Sequence, residues 1–346
     1  MDPIVKIFVL TTLAFVVTML WTPALTRMLY KYKLGKNIRL ASEAPVYARM
    51  HAHKQGTPTM GGVLVWGTTL ALAVLFGAAY AFDVPFLAQL NFLSRAETLL
   101  PLGALVAAAL IGFGDDLLNV LGVGPKGGGL TMRHRLFLYA LVAAGIAWWF
   151  VVKLEWTTLS VPFIGIADLG PILYFLFAAL VLIATMHSVN ITDGLDGLAG
   201  GTLLTAFGAY GAIAFLLERY DLAAFVGVIV GALLAFLWFN IPPARFFMGD
   251  TGAMALGTTL GIIALLTNEP FLLLVIGLPF VAESASVVVQ MTAKRFVGRK
   301  LFRSTPFHHH LEAIGWPEAK IVMRFWVIAG VTAVLGLILY LLDHGL

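Results

Sequence analysis

The chain has 346 residues, of which 60% are hydrophobic and 12% charged, with a mean hydropathy of +0.94. Soluble domains carry about 25% charged residues, so this composition excludes an ordinary water-soluble protein and points to the bilayer as solvent. The net charge of +4 is small, and the absence of cysteine excludes disulfides and thiolate metal sites, leaving oxygen or histidine as metal ligands.

A helix needs about 20 mostly apolar residues to cross the hydrocarbon core. In chain order, the segments that qualify are 4–25, 59–82, 99–118, 135–152, 170–188, 199–217, 222–240, 252–268, 270–292 and 323–342. Each is longer than the roughly ten alternating residues of a barrel strand. The expected fold is therefore an all-α integral membrane protein of about ten transmembrane helices, a single polytopic domain over residues 1–346. The first segment runs into a basic loop with no A-x-A cleavage pattern, which makes it a retained span rather than a signal peptide. Gly252, Gly257 and Gly261 in the eighth segment suit close helix packing.

Ten spans divide the loops into two sets. All of the 22 basic residues except Lys6, Arg95, Lys153 and Arg219 fall in one set. The positive-inside rule makes that face cytoplasmic and puts both termini on the outer side. The inner loops are 26–58, 115–134, 188–199, 241–251 and 293–322. For any one Lys or Arg, topological signalling and attraction to anionic lipid are explanation enough.

The polar chemistry collects at the same face. Asp115 and Asp116 end the third span in IGFGDDLLN, where adjacent carboxylates repel unless a cation or basic group compensates them. A hydrated span end is the plain alternative. Asn190, Asp193 and Asp196 lie in NITDGLDGLAGG, with the two acids three apart and so on one face of a helical turn; an N-cap would account for one of them. Asn240 precedes and Asp250 falls within RFFMGDTGAMALG, where a carboxylate at the mouth of a glycine-bearing helix can hold Mg²⁺ while helix N–H groups face phosphate, or can simply cap the helix. His308, His309 and His310 cannot all point one way in regular structure, and suit a loop touching phosphate or sugar oxygens. Zn²⁺ is the weaker metal here, because the surrounding acids are hard oxygen ligands that suit Mg²⁺. Glu283 is the acid deepest in a span, either functional or hydrogen-bonded near Ser284 and Ser286.

Five stretches, KQGTPTMGG (54–62), FGDD (113–116), VNITDGLDGLAGG (189–201), FFMGDTGAMALG (246–257) and TPFHHHLEAIGWPE (305–318), span nearly the whole chain. In them the chain closely resembles the phospho-N-acetylmuramoyl-pentapeptide transferase family, within the polyprenyl-phosphate N-acetylhexosamine-1-phosphate transferase superfamily. The aspartate motifs suit the superfamily at large; GTPTMGG and PFHHHLE…GWPE look specific to the muramoyl-pentapeptide branch. The resemblance implies a ten-span homodimer in the bacterial inner membrane with a cytoplasmic active site. Its implied reaction joins UDP-MurNAc-pentapeptide to undecaprenyl phosphate with Mg²⁺, giving lipid I and UMP, the first membrane step of peptidoglycan synthesis; membrane lipid is a further partner expected, and nucleic acid is not one.

By motif position, Asp250 would be the Mg²⁺ ligand and Asp115 and Asp116 the catalytic acidic pair. Lys54, Thr59, Asn190, Asp193, Asp196, Asn240 and Phe247 would line the nucleotide pocket, Phe247 by stacking on uracil. The histidine run would contact the sugar-phosphate end of the donor. The family usually reads DDxxK, and here Asn119 stands in place of the lysine, with Lys126 or Arg133 as replacements from the following loop. His187 stands where the family commonly has Asn, and Ala253 where Ser follows MGDxG.

Three rivals carry different expectations. A sibling transferase acting on UDP-GlcNAc differs only in donor. A secondary transporter calls for charged or broken-helix sites near the midplane and a repeat between halves. A lipid-binding scaffold has no need of acids gathered among glycines at one boundary.

Overall fold

The computed structural model describes residues 1–35, 54–95, 97–125 and 128–345. Among these, nine helices are long and apolar enough to cross a membrane, or ten if one bent pair counts as a single span. They are α1 (Pro3–Lys31), α2 (Val63–Ala81), α3 (Leu99–Val120), α4 (Met132–Trp148, prolonged by a π turn over Trp149–Lys153), α5 (Gly170–Thr192), α6 (Leu198–Leu216), α7 (Tyr220–Asn240), α8 (Gly249–Leu266), the pair α9 (Leu273–Ile276) and α10 (Leu278–Phe296), and, after a short α11 (Phe307–Ala313), α12 (Glu318–Asp343). The all-α expectation holds. Side chains such as Leu20, Val74, Ile172 and Leu180 are exposed on the outer surface, where lipid rather than water is the compatible solvent.

The bundle is built around α8, all of whose residues are buried. A helix that is apolar on every side belongs inside other helices. It packs most extensively on α3 and α5, and also touches α2 and α6; α1 lies on α7, α7 on α6, α12 on α6, and α4 on α5. Gly112 of α3 sits where a β-carbon would collide with the Asp250 carbonyl of α8. That close approach brings the acids of the two helices together.

Two expected spans differ in detail. The second was read from residue 59, but α2 starts at Val63. Met60 has φ 72°, and the Gly61 and Gly62 amides donate to the carbonyls of Phe247 and Met248 at 2.8 Å each. Residues 58–62 are thus docked onto the segment that leads into α8 instead of extending the helix. The ninth span, read as one helix over 270–292, is broken: a 3₁₀ turn (Pro270–Leu272) and α9 meet α10 at an angle of 86°. Pro279 lacks the N–H that would continue the helical ladder, and Gly277 permits the bend.

A two-stranded antiparallel hairpin, β1 (Thr158–Val161) with β2 (Gly165–Asp168), lies between α4 and α5 in the register Thr158 opposite Asp168. It was not foreseen, because strands of four residues lie below the reach of hydrophobic periodicity. The Tyr30 hydroxyl donates to the Arg245 carbonyl at 3.0 Å, so α1 ends near the entry to α8. At the far end of the bundle, Lys6 pairs with Asp221 at 2.9 Å, and the Phe163 amide of the hairpin donates to Asp343 at 2.6 Å.

Candidate active site

Four acids meet at the α8 N-terminus. Asp115 and Asp116 come from the last turns of α3 and are 1% and 2% exposed. Asp250 is in the first turn of α8, where the helix dipole favours an anion. The Asp116 carboxylate accepts from the Thr251 amide at 3.0 Å and from the Thr59 hydroxyl at 3.2 Å. Asp193 accepts from the Gly249 amide at 3.2 Å. Gly249 has φ +75°, and a β-carbon there would strike the Asp116 carboxylate and the Thr59 hydroxyl; only glycine serves at this turn. Asn190, near the end of α5, donates to Asp250 at 2.5 Å.

The charge of this cluster is met by Arg135, in the first turn of α4. Its Nε lies 2.6 Å from Asp115 Oδ2 and its Nη2 lies 2.8 Å from Asp250 Oδ2. One guanidinium therefore spans carboxylates of two helices, as its planar fork allows. Asp115 also accepts from the Leu130 amide at 2.6 Å, which ties the loop before α4 to α3.

A second polar group lies beside the first. Lys54 pairs with Asp196 at 2.6 Å and with Glu318, the first residue of α12, at 2.5 Å. Its ammonium lies 6.0 Å from the centre of the Phe247 ring. Burial pulls the Lys54 pKa down, but Asp196 and Glu318 outweigh it and hold it above the ordinary 10.5. Glu318 also accepts from the Asp196 amide, and Asp196 accepts from the Ala244 amide at 3.0 Å. Asn240 is a buried brace: it accepts from the Gly197 amide at 3.0 Å and donates to the Phe246 carbonyl at 2.8 Å.

The histidine run differs from the expectation of a loop. It opens helix α11, which Pro306 caps at its N-terminus; proline is tolerated there because the first helical amides have no intrahelical partner. The three rings do point three ways. His308 is fully buried, its Nδ1 3.0 Å from Glu283 of α10, and its Nε2 faces Gly194, between the two aspartates of that loop. His309 pairs with Glu312 at 2.6 Å. His310 accepts from the Arg303 amide and packs against Phe302 and Phe307. Glu283 is thus the buried partner of His308; it is Ser188, on α5, that bonds Ser284, at 2.6 Å.

Comparison with known proteins adds an independent line. Residues 98–268 match glycosyl transferase family 4, and residues 54–64 match signature 1 of the phospho-N-acetylmuramoyl-pentapeptide-transferases. The transferase of that name from Chloroflexus aurantiacus is 39% identical over 97% of this chain and 90% of its own length. Those from Anoxybacillus flavithermus and Desulforudis audaxviator are each 38% identical, over 94% and 96% of this chain and 95% and 98% of their own lengths. The chain belongs to the phospho-N-acetylmuramoyl-pentapeptide-transferase family.

It is accordingly a multi-pass membrane transferase of peptidoglycan synthesis. Transferases of this family generally use a divalent metal. The cluster suits one of the hard kind: the carboxylates of Asp115, Asp116, Asp193 and Asp250 offer only oxygen, whereas His308 pairs with Glu283 and His309 with Glu312.

Arg135 and Glu318 were missed as site residues. Arg135 counted only as a topological charge, and the lysine absent at Asn119 was sought at Lys126 or Arg133. Lys126 lies outside the described residues, and Arg133 is exposed. The available signal was that Arg135 opens an apolar run, where a charge at the membrane boundary needs a partner. Glu318 stood in the GWPE stretch, the sole acid at the start of the last span.

Proposed function

We propose that this protein transfers phospho-MurNAc-pentapeptide from UDP-MurNAc-pentapeptide to undecaprenyl phosphate, giving lipid I and UMP. The observation that carries this reading is the convergence of Asp115, Asp116, Asp193, Asp250 and Arg135, from four separate segments, at the N-terminal end of one wholly buried helix. Phosphoryl transfer needs alignment and charge neutralisation far more than covalent help from protein.

The acceptor phosphate, with a second pKa near about 6, is largely dianionic at neutral pH. One of its oxygens attacks the sugar-linked phosphorus of the donor. The new O–P bond forms as the bridging anhydride bond breaks, and UMP leaves with the bridging oxygen. Asp115 and Asp116 hold the acceptor in line and take any residual proton. Arg135, already a fork between two carboxylates, offers positive charge to the phosphates. Lys54, Thr59, Asn190, Asp193, Asp196 and Phe247 line the nucleotide side, with Asn240 bracing the loop, Phe247 stacking on uracil, and His309 and His310 toward the sugar-phosphate end. Mg²⁺, held by Asp250 among the neighbouring carboxylates, would supply charge neutralisation on the donor pyrophosphate. The Lys and Arg bias supports a cytoplasmic site in a bacterial inner membrane with both termini outside, and the family resemblance supports a homodimer.

The test is UMP release by purified protein in detergent with undecaprenyl phosphate and Mg²⁺, offering either UDP-MurNAc-pentapeptide or UDP-GlcNAc. Turnover of the first donor alone, abolished by EDTA and by Asp250→Asn in a folded protein, is expected. Turnover of UDP-GlcNAc alone, or near-normal activity of Asp250→Asn, overturns the reading.

A further inference from the structure

The end of the bundle opposite the acids holds a cluster of metal-type ligands that the transfer reaction does not use. Glu269 lies between α8 and the 3₁₀ turn before α9; Asp343 ends α12, and His344 follows it. One ligand atom from each falls within 4.8 Å of the other two, the one such trio among the described residues. Glu269 is 2% exposed although it is a carboxylate, and its Oε2 is buried with no hydrogen-bond partner. Such a group is costly without a compensating cation.

The imidazole sharpens the point. His344 Nδ1 lies 3.0 Å from the Tyr340 carbonyl, which can only accept, so Nδ1 carries the proton. In the neutral ring Nε2 is then a lone pair, and it faces Glu269 Oε1 at 3.6 Å. In that form a lone pair and a carboxylate oxygen face each other beyond hydrogen-bond range, an arrangement that a cation between them satisfies. Ligand atoms at about 2.0–2.1 Å from a tetrahedral ion stand roughly 3.4 Å apart, close to this spacing. The cradle is also anchored: the Tyr340 ring stacks on His344 with centroids 4.2 Å apart, the Tyr210 hydroxyl donates to the Glu269 carbonyl at 2.9 Å, and Asp343 accepts from the hairpin.

We propose that Glu269, Asp343 and His344 form a second metal site, remote from the transfer centre, for a first-row divalent ion such as Zn²⁺. One imidazole with two carboxylates is a donor set that transition metals accept and that Ca²⁺ or Mg²⁺, preferring all-oxygen shells, do not favour. The bound ion clips the C-terminus of α12 to the α8–α9 connection, and the exposed edge at His344 leaves room for a water as fourth ligand.

The experiment uses full-length protein without a polyhistidine tag, purified in detergent, stripped with EDTA and returned to buffered Zn²⁺ or to Mg²⁺. Zn²⁺ at saturation is expected to raise the unfolding temperature by about 3 °C or more. Metal analysis should find one Zn²⁺ per chain that His344→Ala loses and Asp250→Asn keeps. Glu269→Gln should also lose the ion; should that variant not fold, His344→Ala, altering an exposed residue, decides alone. No shift with Zn²⁺, a shift of equal size in His344→Ala, or a response to Mg²⁺ equal to that with Zn²⁺ overturns the proposal.

Discussion

Arg135 touches carboxylates from two different helices, 2.6 Å from Asp115 and 2.8 Å from Asp250, and a lysine in its place would offer a single ammonium rather than a fork. Arg135→Gln is expected to cut kcat by about 10²–10³-fold, the usual effect of removing one group that meets developing charge, while Arg135→Lys retains part of the rate. Normal turnover of Arg135→Gln in the UMP assay would remove it from the site. Lys54 answers a different question. Because its folded pKa is raised, the stability it contributes is complete below 10.5 and lost only as pH rises through the folded value. Lys54→Ala should therefore slow turnover by the same factor at pH 6.5 and pH 8.5; a factor that changes between them contradicts the assignment. The buried Glu283–His308 pair supports rather than reacts. His308→Ala takes the imidazole from buried Glu283, which keeps the amide of residue 308 as a donor, and should cost about 1–3 kcal/mol in unfolding, read as a lower melting temperature in detergent.

At the scale of elements, the decisive contact is between α3 and α8. Asp115 and Asp116 meet Asp250 because Gly112 lets the two backbones approach until a β-carbon has no room. Gly112→Val should separate the helices and abolish turnover in a chain that still inserts. Gly103, on the same helix, has open space around it, so Gly103→Val should be tolerated. Equal activity of the two variants would show that the approach is not required. The break at Gly277 and Pro279 matters for a related reason: α10 leaves the bend at 86°, carrying Glu283 to the place where α11 delivers His308.

Across the whole molecule, the halves on either side of the hairpin are interlocked, since α1 packs on α7, α3 on α8 and α4 on α5. The hairpin tip is exposed at Ile164. Membrane helices insert before they associate, so fragments ending at Phe163 and beginning at Ile164, made together, should reassemble an active transferase. Failure of two inserted fragments to release UMP would show that an unbroken chain is needed for assembly.

Much of this was legible in order along the chain. Twenty-residue apolar runs require helices in a medium that cannot satisfy backbone polar groups, so the spans followed from composition alone, and the motifs named the family. Asp115, Asp116, Asp193 and Asp250 were legible because a carboxylate at a membrane boundary is costly and so conspicuous. The tertiary structure decided which of them share a partner: Arg135 joins Asp115 to Asp250, Glu318 joins Lys54, and His308 turns inward to Glu283. It also joined Glu269 to His344, 75 residues further along. The physical reason is the same in each case. Helix formation and membrane crossing depend on neighbours in sequence, whereas the partner of a buried charge depends on which helices pack together, and that is settled by small residues such as Gly112 whose importance shows only when the opposing helix is in place.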